Sequence, residues 1–264
     1  MPNGIHLEVD GAIARITLDR PEVGNALDVP MARELLAVAS RCERDTAIRC
    51  VLMTGRGKLF CAGGDVLEFS RAGDRLPEFL GEITAPLHAA LSILARMNKP
   101  LVTAVNGAAA GAGIGLSIVG DVALADPAAV FTLAYTAIGM TPDGGSTWLL
   151  TRLVGLRRAQ ELCLTNRRLT AMEAAGMGLI TRVVDAGTLA AEANAVAAQL
   201  ASGATIALGA TRRLLVDSYT STFESQMERE SRTIAAQART HDGREGIAAF
   251  VAKRKPHFTG KSPT

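Results

Sequence analysis

The sequence predicts an α/β fold in which a strand–strand–helix unit recurs, followed by a helical tail. Three observations predict it. Short apolar strands alternate with amphipathic helices over the first two thirds of the chain. Two strand-to-helix connections are rich in glycine, around Gly63-Gly64 and Gly111–Gly113. From about Thr188 the composition turns to helix formers with no Pro-, Gly- or Ser-rich linker between. The expected organisation is a core over 1–195 and a helical oligomerisation region over 196–264. No sequence period supports a solenoid.

The elements follow in order. Ile5, Leu7 and Val9 alternate, Asp10-Gly11 is a hairpin turn, and Ile13, Ile16 and Leu18 form the returning strand, ended by Pro21. Asp28 and Pro30 open a helix to about Cys42. Cys50–Met53 reads as a buried strand, and Leu59-Phe60-Cys61 as a strand end before the first glycine turn. A long helix covers Pro77–Met97 and a strand Pro100–Val105. Asn106-Gly107 leads into the second glycine loop, and Ile114–Val119 is helical. Strands at Val122–Ala125 and Phe131–Ala134 precede helices at Gly144–Val154 and Leu156–Leu164. The tail reads as helices at Ala190–Leu200, Ala204–Val216, Thr222–Arg239 and Arg244–Arg254, with Gly203 and Gly243 as breaks.

Composition excludes several classes. The chain has 264 residues, 48% hydrophobic and 20% charged, enough apolar content for a packed core. Lys and Arg number 28 against 26 Asp and Glu, a net charge of +2, and only 4% of residues are aromatic. Neither nucleic acid nor an anionic membrane is expected as partner. The four cysteines, Cys42, Cys50, Cys61 and Cys163, have no paired spacing and do not cluster with His6, His88, His241 or His257. No metal site or disulfide framework is expected. The first eleven residues lack the pattern of a signal peptide, and Pro100–Asp121 carries too many glycines for a membrane span. The expectation is a soluble cytoplasmic protein.

The two glycine turns carry the candidate chemistry. Backbone amides at such turns can hold negative charge, and two converging turns would form an oxyanion hole. The alternatives are plain tight connections, or a dinucleotide fingerprint at Gly111-Ala112-Gly113-Ile114-Gly115, whose spacing is GxGxG rather than GxGxxG.

Five ordered motifs resemble the signature of the enoyl-CoA hydratase/isomerase (crotonase) superfamily. They are Arg20-Pro21 with Asn25-Ala26-Leu27, then Phe60–Asp65, then Lys99-Pro100 with Val105-Asn106-Gly107 and the following glycine stretch, then Gly139–Gly145, and last Arg244–Gly246 with Ala249-Phe250 and Lys253-Arg254. The resemblance covers nearly the whole chain. It implies a spiral of ββα units with a C-terminal helical trimerisation region, and acyl-CoA thioesters as substrates. It implies no cofactor beyond the coenzyme A of the substrate, and a trimer or dimer of trimers.

Position by position, the resemblance makes the amides of Gly64 and Ala112 the oxyanion hole. It assigns Asn25, Ala26, Ala62, Phe250 and Lys253 to CoA binding, the last two toward a neighbouring subunit. The two glutamates of the family's hydratases fall on Gly115 and Tyr135, neither a carboxylate. Asp143 stands where family isomerases place a proton-moving aspartate, and Thr141–Leu150 resembles the isomerases of phenylacetyl-CoA breakdown. The expected activity is therefore isomerisation of an enoyl-CoA or ring-derived acyl-CoA, with Asp143 as base.

The other readings remain beside it. Asp143 could be a turn residue or helix cap. His88 could pack on a helix face among Leu87, Leu91 and Leu94, or act as the histidine of the family's chlorobenzoyl-CoA dehalogenases does. Tyr135 could contact substrate or simply pack. Lys253-Arg254-Lys255 could be a nucleic-acid or localisation patch, or solvated helix-end charge. Leu67 replaces a phosphate-binding lysine of many relatives, and Asp121 carries no assigned chemistry. Hydratase-like and hydrolase- or dehalogenase-like activities are the enzyme alternatives. A non-catalytic CoA or RNA binder is the alternative of another class.

Overall fold

The computed structural model describes residues 4–260; residues 1–3 and 261–264 of the two expected regions lie outside the described residues. Alternating apolar residues form the hairpin β1 (Ile5–Asp10) and β2 (Ile13–Leu18), turned at Gly11. Helix α1 (Val29–Arg44) starts where the Asp28 carboxylate accepts from Met31 N at 2.8 Å, a cap worth about 1 kcal/mol. Then follow β3 (Cys50–Gly55), β4 (Leu59–Cys61), α2 (Val66–Ala72) and α3 (Leu76–Arg96). The next unit is β5 (Leu101–Val105), β6 (Ala108–Ala110) and α4 (Ala112–Ile118). The third is β7 (Val122–Ala125), β8 (Val130–Thr132), α5 (Ser146–Leu153) and α6 (Leu156–Thr165). A short return, β9 (Leu169–Thr170), α7 (Ala171–Gly176) and β10 (Arg182–Val183), leads to α8 (Leu189–Ala201), α9 (Thr205–Asp217), α10 (Phe223–Gln237) and α11 (His241–Val251).

Each unit sends its first strand to one sheet and its second to another. The six-stranded sheet runs β1-β2-β3-β5-β7-β10 and the four-stranded sheet β4-β6-β8-β9. Among the described residues, only the β1–β2 and β8–β9 pairs are antiparallel. Central β5 is buried at every position, as a parallel strand covered on both faces must be. The main core lies on one face, where Val51, Met53, Leu101 and Val105 meet apolar residues of α1 and α3. Helix α8 covers the other face, with Ala193, Ala197 and Ala201 against Cys50, Leu52, Val102 and Leu124. That helix runs through residue 195, the expected boundary, and small alanines let it lie close to the sheet.

The structure revises several expected boundaries. Strand β6 lies inside what reads as a glycine loop, because three alanines carry no strand signal. The Phe131–Ala134 strand stops at Thr132, and Ala134 adopts φ +57°. The helix expected from Gly144 starts at Ser146, since Gly144 and Gly145 are left-handed (φ +59° and +71°). Gly243 does not break a helix. It sits in the first turn of α11 and donates to the capping Thr240 Oγ1 at 2.9 Å. That helix ends at Val251, three residues before Arg254.

Two buried cations close the ends of the central helices. Lys99 Nζ donates to the Cys42 carbonyl in the last turn of α1 and to the carbonyl of Asp45, its C-cap, both at 2.5 Å. Arg212 of α9 reaches the end of α3, donating to the carbonyls of Met97, Lys99 (2.6 Å) and Leu94 (3.0 Å). It also pairs with Asp121 at 2.7 Å, whose other oxygen accepts from Leu101 N at 2.7 Å. Asp121 is thus a structural acceptor, and Arg212 fastens the tail to the core. Arg212→Met leaves these carbonyls and Asp121 Oδ1 without the guanidinium donor, so urea denaturation should show a loss of about 3 kcal/mol or more.

Candidate active site

The three parallel strands of the small sheet place the site. Because β4, β6 and β8 lie side by side in the same direction, their carboxyl ends open on one side. The segments leaving them, Ala62–Gly64, Gly111-Ala112 and Leu133–Tyr135, line one cavity of about 260 Å³. Helix α3 supplies a further wall with Leu80, Ile83, Thr84 and Leu87, and the loop from Ile138 to Asp143 the last. Phe69, Leu133 and Met140 complete a largely apolar lining.

The two glycine turns meet in this cavity. Gly63 has φ +96°, and a Cβ there would lie 2.9 Å from the Ala110 carbonyl, so only glycine lets the turns approach. Leu27 bridges to the first turn: Leu27 N donates to Gly63 O at 2.7 Å, and Asp65 N to Leu27 O at 3.0 Å. In such a parallel pairing the intervening residue's N–H points away from its neighbour. The Gly64 N–H therefore turns from Leu27, and Gly64 lines the cavity. Ala112 is the first residue of α4, where a backbone N–H has no acceptor within its own helix. It lies in the helix and is not among the residues of positive φ, so alanine serves here without strain.

Sequence reasoning left Arg20 without a role. Its guanidinium lies 2.9 Å from the Asp28 carboxylate and 3.6 Å from Asp65, the N-caps of α1 and α2, and donates to Ala26 O at 2.7 Å. It thereby holds the Leu27 segment and the Gly64 turn together.

Asp143 is the acidic residue among those lining the cavity. Its side chain is not the cap of α5. The Asp143 carbonyl, not the carboxylate, accepts from Ser146 N (3.1 Å) and Oγ (2.6 Å). The carboxylate instead takes a short hydrogen bond from the Tyr135 hydroxyl on Oδ1, and its Oδ2 lies 3.5 Å from His88 Nε2. His88 is exposed rather than packed among the leucines of α3, and its Nε2 accepts from Gly144 N at 3.2 Å.

Both positions where the resemblance puts hydratase glutamates support this loop. A Cβ on Gly115 would lie 2.1 Å from the Gly144 carbonyl, so the space of a side chain is filled by the loop's backbone. Tyr135 donates to the Asp143 carboxylate. The dinucleotide reading fails for the same reason. A Cβ on Gly113 would lie 2.4 Å from Cys61 O, so these glycines admit protein backbone and not a pyrophosphate.

The residues expected to bind CoA are scattered. Ala62 lines the cavity. Asn25 is wholly buried with φ +58°; its amide donates to the carbonyls of Arg56 (3.0 Å), Leu59 (2.9 Å) and Phe60 (3.1 Å) and accepts from Arg20 N. It folds the chain rather than lining the cavity. Ala26 is buried beside it. Phe250 is 87% exposed on α11 and Lys253 follows that helix, both outside the cavity wall. Burial pushes the Cys61 thiol up to about 12, which leaves it an inert, protonated neighbour of the site. Among the described residues no cluster could hold a metal ion, and no helix is long and apolar enough to cross a membrane.

Comparison with known proteins agrees with this geometry. The sequence profile of the enoyl-CoA hydratase/isomerase family matches residues 8–261. The chain belongs to the enoyl-CoA hydratase/isomerase family. It is 38% identical over 254 residues to the 1,2-epoxyphenylacetyl-CoA isomerase of Escherichia coli K12, covering 96% of this chain and 97% of that one. It is 39% identical over 257 residues to a Rhodobacter capsulatus protein described as a probable enoyl-CoA hydratase, covering 97% and 98%. The crystal structure of an enoyl-CoA hydratase from Polaromonas sp. JS666 superposes with a TM-score of 0.92 at 32% identity, covering 97% and 99%. The two-sheet spiral is therefore the crotonase fold of the enoyl-CoA hydratase/isomerase enzymes.

Tyr135 gives the family's hydratase position a pH signature. Burial, then the Asp143 charge, raise its phenol well above the usual tyrosine value of 10.0, so the folded protein keeps it neutral. The unfolded chain releases that proton near pH ~10. Stability from this group is thus complete below pH ~10 and is lost above it. In urea titrations, the advantage of wild type over Tyr135→Phe should be about 1 kcal/mol at pH ~8 and shrink above pH ~10.

Proposed function

We propose that this chain is an acyl-CoA isomerase that moves a proton along its substrate with Asp143. The observation that carries the reading is the fate of the two hydratase positions. Gly115 has no room for a carboxylate, and Tyr135 is bonded to Asp143, which leaves Asp143 as the cavity's acid. The thioester oxygen would sit between the amides of Gly64 and Ala112. Asp143 removes a proton made acidic by the thioester, charge gathers on that oxygen, and the two amides stabilise it. Losing one such donor costs ~10²–10³ in rate. The same carboxyl returns the proton to another carbon. Tyr135 occupies Oδ1 and leaves Oδ2 for the proton.

The apolar lining and the likeness to the E. coli isomerase support an enoyl-CoA or ring-derived acyl-CoA as substrate. Coenzyme A enters with the substrate, its remote binding energy positions the acyl group, and the reaction needs no other cofactor. The test is a panel of 2-enoyl-, 3-enoyl- and aryl-CoA thioesters. Isomers should interconvert without net addition of water. Asp143→Asn should lower turnover by ~10² or more while the thermal midpoint moves little. Full turnover in that variant would remove Asp143 from the mechanism.

A second reading follows from the 3.5 Å approach of His88 to Asp143. Here Asp143 would attack an aryl-CoA as a nucleophile, and His88 would activate water. Release of halide from a chloroaryl-CoA in the same panel would favour it. The Tyr135 hydroxyl on Oδ1 weakens the carboxylate as a nucleophile, so the expected result is none.

We also propose a trimer-based homo-oligomer assembled through the tail. Helix α10 has no buried residue, and Leu215, Tyr219, Phe223, Met227 and Ile234 are exposed around it, too much apolar surface for a free face. Sedimentation should give three times the 27.6 kDa chain mass, or a multiple of it. A monomer at micromolar concentration would overturn the assembly.

A further inference from the structure

A second cavity, about 370 Å³, lies beside the first, with His88 next to Leu87 and Gly144 next to Asp143 in the chain. The two share no lining residue. Asp143 lines the acyl cavity, while Gly144 and His88 line the second. Asp143 Oδ2 on the first cavity and His88 Nε2 on the second stand 3.5 Å apart, so the two side chains link them.

The hydrogen bonds decide which way a proton can cross. Gly144 N–H donates to His88 Nε2, so that nitrogen carries a lone pair and the neutral ring keeps its proton on Nδ1. An ionised Asp143 finds no hydrogen on Nε2. A protonated Asp143 finds an acceptor. Tyr135 holds Oδ1, so a proton taken from substrate resides on Oδ2, the oxygen that faces His88. The other charged groups on the second cavity are Arg96, on the same helix as His88, and the Asp121–Arg212 pair, which is engaged in holding α3 and β5.

We propose that His88 carries the reaction's proton between Asp143 and water in the second cavity. The inference rests on the isomerase reading of Asp143. The substrate C–H bond breaks and its electron pair moves to the thioester oxygen, while the proton goes to Oδ2. The Oδ2–H bond then breaks as Nε2–H forms, the Gly144 N–H giving up its hydrogen bond to that one lone pair as it does so, and Nδ1–H is released to water. The reverse order delivers a solvent proton to the second carbon, so no proton is gained or lost overall. His88 works through Asp143 and does not touch the acyl group. Its consequence is that the migrating hydrogen exchanges with solvent.

The experiment isomerises an enoyl-CoA in deuterated water with wild type and His88→Gln, reading deuterium per product molecule, a ratio independent of turnover rate. Glutamine can still accept from Gly144 N but cannot pass a proton on. Wild type should incorporate deuterium, and His88→Gln at least about threefold less. Equal incorporation, or none in wild type, overturns the relay. Absence of any isomerisation overturns the isomerase reading instead. A second measurement needs no turnover. In protein labelled with ¹⁵N-histidine, where His88→Gln identifies the His88 signals, the neutral ring should carry its proton on Nδ1. A proton on Nε2 overturns the relay, because that nitrogen then has no lone pair to receive one.

Discussion

The close approach of two backbone turns is the constraint on which the rest of this structure depends. Gly63 lies against Ala110, and Gly113 against Cys61, at separations no side chain would permit. That contact sets β4 and β6 side by side, aligns their carboxyl ends and brings the Gly64 and Ala112 amides to one cavity. A cavity wall made of backbone is stiff, since its atoms are held by strand and helix hydrogen bonds rather than by rotamers. Amides fixed in this way need little reorganisation when charge develops on a bound carbonyl oxygen.

The same logic extends outward. Arg20 joins the caps of α1 and α2 and so ties the Leu27 bridge to the turn it supports. The Asp143 loop packs on α4 through Gly115 and is held by Tyr135 and His88. The Arg20–Asp65, Gly115–Gly144 and His88–Gly144 contacts join segments far apart in the chain. The site is an intersection of three ββα units, and no single unit contains it.

The two cavities differ in what lines them. Gly64, Ala112 and a largely apolar lining face the first cavity, the side from which the proposed isomerisation would exclude water. The polar groups that could connect Asp143 to solvent stand on the other side of the Gly144 backbone. The proposed isomerisation has to keep water from its intermediate and still manage a proton, and one carboxylate beside one imidazole would meet both demands.

The sequence by itself determined the α/β class, most of the strands and helices, the family resemblance and the positions of both glycine turns. Those features rest on local chemistry: alternation, caps, glycine in special conformations, and motifs in order. It also singled out Asp143, because loss of acid at positions 115 and 135 is visible without coordinates. Only the tertiary structure decided what surrounds Asp143. That Gly115 is filled by the Gly144 carbonyl, that His88 leaves the leucines for Gly144, and that Asn25 turns inward to three carbonyls are contacts across 29 to 56 residues of chain. Strand β6 and the 166–185 return stayed illegible for a related reason: alanines and two-residue strands carry no local signal and are defined by the neighbour they pair with. A side chain's partner is chosen by where the whole chain brings the backbone, and that information is not stored in any window of the sequence.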